Sequence, residues 1–147
     1  MIRIILYGIL MWGVCVYAIR AGGWAERVAA IGIVANSYLT TIATMFLTSS
    51  TNRYQHPEVS IMTVDLALLL ALLYVTVRSD KFWPLWLTAM QGLVVLAHLS
   101  PYVPHMLPWS YWRAVAVWSW PMLIVLAFAV HRHHLEKSRR SRASRRL

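Results

Sequence analysis

The chain has 147 residues, of which 59% are hydrophobic and 13% charged. That balance is too apolar for a soluble domain of this size, whose surface needs polar cover. The single cysteine, Cys15, excludes an internal disulfide and any CxxC metal or redox motif. The formal charge of +9 is uneven: seven of the fourteen basic residues fall in the last sixteen positions, as Arg132, Lys137, Arg139, Arg140, Arg142, Arg145 and Arg146.

Five apolar segments follow one another, at 4–19, 28–47, 61–77, 82–99 and 114–130. A bilayer-crossing helix needs about 20 residues, with roughly 17 tolerated. No run alternates polar and apolar residues as a membrane strand does. The sequence therefore predicts an all-α polytopic membrane bundle of five transmembrane helices over 1–130, followed by a basic, mobile cytoplasmic tail at 131–147.

The first segment lies between Arg3 and Arg20 and ends at Gly22 and Gly23, where a left-handed helix cap costs little. A cleaved leader is the rival for this segment, since Arg3 precedes an apolar run. No clean A-x-A site follows it, and cleavage would leave the basic tail outside, so a retained span is expected.

The second segment carries Gly32, Asn36, Thr40, Thr44 and Thr48 at strict four-residue spacing, with Ser37 and Thr41 alongside. Such a ridge of small residues lets helices cross closely. The alternatives are a polar stripe lining a permeation path and a contact for another subunit. Asn36 near the middle of this span and Gln91 near the middle of the fourth each gain from a hydrogen-bond partner, and each is a candidate partner for the other.

The third segment opens with Asp65 one or two turns inside it. The joint that follows, RSDKFWP, offers Asp80 as an N-cap and Pro84 in the first helical turn. The fourth segment has His98 one residue from its end, before a stretch with three prolines that cannot be a regular helix. In the fifth, Pro121 is expected to kink the helix.

Orientation follows from the basic residues. With the tail inside, eleven lie on the cytoplasmic side and three, Arg3, Arg53 and Arg113, lie outside. Trp24, Trp83 and Trp86 then fall at the inner interface, and Trp109 and Trp112 at the outer one, as aromatic belts do.

In this orientation Arg53, His56, Glu58, Asp65, His98, His105 and Arg113 gather at the outer end, with Asp65 the deepest. An intramembrane carboxylate is costly and marks a site by default. One reading makes Asp65 the floor of an outward polar pocket with His98 its partner, and His56, His105 and Arg113 as further ligand-binding candidates. The other has Asp65 reach interfacial water or pair with Arg113 or Arg53, and so fix helix packing. Asn36, Thr40, Thr44 and Gln91 are read as packing groups. The histidines and Asp65 match no short metal motif, and one histidine within the spans does not make a bis-histidine haem site. No metal, cofactor or catalytic residue is expected. The tail suits anionic lipid, at about 1 kcal/mol per basic residue near the surface, better than nucleic acid, because it lacks interleaved aromatics.

Residues 64–99, VDLALLLALLYVTVRSDKFWPLWLTAMQGLVVLAHL, cover about a quarter of the chain. This stretch resembles small bacterial inner-membrane proteins that pair a V-D-L-A-L-L opening with R-S-D-[KR]-[FW]-W-P-L-W and a later H-L. The resemblance brings no activity with it. It implies that Asp65, the RSDKFWPLW hairpin and His98 form one unit.

The sequence thus points first to a non-enzymatic accessory or assembly subunit, or a binding protein, with another membrane protein or a second copy of itself as partner. A small oligomeric transporter or channel is the second reading. An enzyme acting at the outer leaflet is the third; no nucleophile–base spacing supports it.

Overall fold

A computed structural model describes residues 2–46, 59–99 and 108–144, with side chains described for all of these except 3, 4, 46, 59 and 108–118. The described chain is all-helical: α1 (Ile2–Ala21), α2 (Trp24–Phe46), α3 (Val59–Arg78), α4 (Trp83–Ala97) and α5 (Pro108–Ser144), with no strand among the described residues. The helices form a ring. Each packs on its sequence neighbour, α5 closes back on α1, and α2 and α5 touch across the middle.

Among the described residues, two helices are long and apolar enough to cross a membrane, over Trp24–Met45 and Ser60–Arg78, while Ile5–Ala21 and Trp83–Ala97 are apolar but shorter. The core is built from small and branched residues. Cys15 and Ala18 of α1 meet Ala29 and Ala30 of α2, against Leu123, Leu126 and Val130 of α5. Small side chains at this crossing let the backbones approach closely. The outer surface is strongly apolar, with Ile9, Ile31, Leu70, Leu96 and Phe128 all exposed.

Three joints differ from the sequence expectation. Neither Gly22 nor Gly23 adopts the left-handed conformation; glycine is needed at 22 because a Cβ there would lie 2.5 Å from the Ala18 carbonyl oxygen and 2.7 Å from Glu26 Cβ. Asp80 is exposed and does not cap α4; Phe82 holds the cap position without a side-chain hydrogen bond, and proline follows in the first turn. Past Val130, where the sequence suggests a mobile tail, α5 runs on through Ser144 as one 37-residue helix. Arg, Lys, Leu, Glu and Ala there are good helix formers, and a helix already begun needs no new nucleus. This helix also runs through Pro121 without interruption.

Candidate functional site

The site arises from the buried stripes of α3 and α4. Ile61, Asp65, Leu68, Leu72 and Val75 are buried on α3, and Pro84, Leu87, Gln91, Val94 and His98 on α4. Both follow the three-and-four spacing of a helix face turned to a core. The Thr76 and Thr88 hydroxyls, 2.9 Å apart, join the two helices lower down. This pairing lets Gln91 and His98, two turns apart on one face, both reach Asp65 on α3.

Asp65 is the hub. His98 Nε2 lies 2.8 Å from Asp65 Oδ2. Gln91 Nε2 donates to Asp65 Oδ1 at 3.2 Å and to the Asp65 carbonyl oxygen at 3.1 Å. From α2, Asn36 Nδ2 donates to Oδ1 at 3.0 Å. Asp65, Gln91 and His98 are each at most 5% exposed. Burying these groups is tolerable only because the bonds replace water.

Asn36 and Gln91 do not pair with each other as the sequence suggested. Both are donors to the same Asp65 oxygen, one from α2 and one from α4. A carboxylate attracts amide donors more strongly than a neutral amide oxygen does.

A cleft of about 250 Å³ opens beside this hub. Ser37, Thr40, Thr41 and Thr44 of α2 line one wall, with Tyr7, Val94, Ser119 and Met122 around the rest. Thr41 and Thr44 turn their hydroxyls back to the carbonyls of Ser37 and Thr41, at 2.8 and 2.7 Å. Asn36 Oδ1 and Thr40 Oγ1 are shielded and have no hydrogen-bond partner among the described residues. Below the hub the bundle is apolar, with Leu72, Leu87, Leu123 and Leu126 almost wholly buried.

His56, His105, Arg53 and Glu58 lie outside the described residues, as does the side chain of Arg113. Among the described residues, no three His, Cys, Asp or Glu side chains gather to hold a metal ion.

The sequence reading missed a second polar centre at the other end of the bundle. Glu26 is fully buried. Lys81 Nζ lies 2.6 Å from Glu26 Oε1, and the Gly23 N–H donates to Oε2 at 3.1 Å. Lys81 Nζ is also 3.4 Å from His133 Nδ1. The signal was the run of buried positions Ala25, Glu26, Ala29, Ala30 and Ile33, which puts Glu26 on the inward face of α2.

No protein-family profile matches the chain, and no curated protein or solved structure is significantly similar to it.

Proposed function

We propose that the chain is a five-span protein of the cell's inner membrane, with its N-terminus outside and the α5 extension inside, and that the Asp65 cleft is an outward-facing binding site. The distribution of polarity supports the membrane reading. Large apolar side chains face outward on all five helices, including Ile9, Ile42, Leu70, Leu96 and Ile124. Glu26, Asp65, Gln91 and His98 face inward. Lipid requires this arrangement, whereas water penalises so large an apolar surface. The α4 helix has 15 residues and spans about 22 Å, so it draws on Phe82 and Leu99 to reach both interfaces. The eleven-to-three distribution of basic residues supports the orientation.

One observation carries the binding role: the unpartnered Asn36 Oδ1 and Thr40 Oγ1 sit on the wall of a cleft whose neighbouring carboxylate is already satisfied. Two amide donors and the His98 ring hold Asp65 in place, which suits recognition better than proton transfer. The ligand is a small polar molecule, or one group of a partner protein, that donates hydrogen bonds to Asn36 and Thr40. The protein then serves as a binding or accessory component and not as a catalyst.

The hydroxyl stripe of α2 favours a second reading, in which the cleft is the outer vestibule of an oligomeric transporter. That reading requires the Leu72, Leu87, Leu123 and Leu126 layer to part.

Native mass spectrometry of the protein, gently extracted from cells at native expression, tests the binding role. The wild type is expected to carry added mass that Thr40→Val, which removes one of the two ligand-facing acceptors, loses. A bare 16.9 kDa species for both would overturn it.

A further inference from the structure

At the α5-extension end of the bundle two cavities meet. One, of about 840 Å³, is framed by the Gly22–Gly23 turn, Trp24 and Arg27, with Lys137 and Arg140 of α5 opposite. The other, of about 730 Å³, runs between α4 and α5 along Trp83, Trp86, Ile124 and Phe128. Lys81, His133 and Glu136 border both.

The junction is built, not incidental. Glu26 is buried and gripped by Lys81 at 2.6 Å, and Lys81 reaches His133 at 3.4 Å. A Cβ on Gly23 would lie 3.2 Å from the His133 ring. These contacts tie the α1–α2 turn, the start of α4 and the extension of α5 together. They set Lys137 and Arg140, one and two turns beyond His133, over the first cavity. Glu26 neutralises Lys81 there, while Arg27, Lys137 and Arg140 outnumber Glu136. The mouth of the first cavity is therefore positive, and the adjoining groove has an aromatic and aliphatic wall, with Asp80 and Arg132 as further charged residues on its border. In that groove Trp83 Nε1 is shielded and lacks an acceptor among the described residues.

We propose that these joined cavities bind one anionic phospholipid, its phosphate among Arg27, Lys137 and Arg140 and an acyl chain in the groove between α4 and α5. The site rests on the membrane-spanning reading given above. It differs from diffuse attraction to a basic tail, which Arg139 and Arg142 would share although they border neither cavity.

The 147-residue protein is exchanged into micelles containing phosphatidylglycerol and phosphatidylcholine, and retained lipids are counted by native mass spectrometry. The wild type is expected to retain a single phosphatidylglycerol in preference to phosphatidylcholine. Arg27→Gln with Arg140→Gln should lower that retention about thirtyfold, since each basic residue near the surface contributes about 1 kcal/mol. Arg139→Gln with Arg142→Gln removes as much charge and should leave retention unchanged. Equal loss in both double variants, or no headgroup preference in the wild type, overturns the site. So does displacement of the lipid by millimolar inorganic phosphate, which would mark a small-anion pocket. Alkaline extraction of the same membranes separates the two readings. Release of the wild type into the soluble fraction refutes the membrane reading, whereas loss of selectivity in an integral protein refutes the lipid site alone.

Discussion

His98 Nε2 lies 2.8 Å from Asp65 Oδ2, which ties the C-terminal cap of α4 to the second turn of α3. Both groups are buried, so neither has water to fall back on. Removing one partner leaves the other costly. Asp65→Ala is expected to destabilise the bundle by about 3 kcal/mol. Asp65→Asn should cost less, because its amide oxygen still accepts. Reversible unfolding in detergent reads both, and an unchanged Asp65→Ala would contradict the hub role.

Asn36 and Gln91 act through the same oxygen, Asp65 Oδ1. Their contributions should therefore not add. A double-mutant cycle with Asn36→Ala and Gln91→Ala is expected to show a coupling of about 1 kcal/mol. Strict additivity would mean that the two amides do not share an acceptor.

The glycines separate into two groups. At Gly22 an added Cβ meets backbone and Glu26 Cβ, and neither can swing away. Gly22→Ala should cost about 1 to 3 kcal/mol. At Gly8, Gly13 and Gly92 nothing lies within 4 Å of an added Cβ. Alanine there should stabilise the helix by about 0.5 to 1 kcal/mol each. Thermal unfolding of the four variants checks the contrast, and a harmless Gly22→Ala would refute the close approach at this turn.

Lys81 covers a fully buried carboxylate. Lys81→Met leaves Glu26 with only the Gly23 N–H and is expected to cost about 2 kcal/mol or more. Adding Glu26→Gln should recover much of that loss, because no buried charge then remains. A double variant as unstable as Lys81→Met alone would show that the pair is not what matters.

Much of the helical layout was legible because apolar runs and breakers state it directly. The Gly22–Gly23 joint and the 79–82 joint both separate helices in the structure. The Asp65–His98 partnership was also accessible, since each stands where an inward-facing stripe puts an apolar residue. Gln91 was seen as a polar intruder, but its acceptor depends on how α3 and α4 are set in register, which no single segment encodes. The Glu26–Lys81 contact joins residues 55 positions apart across two turns, and Glu26 lay unnoticed in a charged joint. The helical form of the α5 extension was not legible for a different reason. Its charge suggested a mobile tail, yet Arg132 and Glu136 lie one turn apart, 3.8 Å from each other, on a continuing helix.

The most direct measurement is labelling of a single cysteine in the cleft. In a Cys15→Ala background, Ser37→Cys or Thr41→Cys places a thiol on the cleft wall, and Lys137→Cys places one on the α5 extension. A membrane-impermeant maleimide added to intact cells is predicted to label the cleft thiols, and to label Lys137→Cys only after the membrane is opened. Labelling of the α5 thiol on intact cells, with the cleft protected until permeabilisation, would contradict an outward-facing site in this bundle.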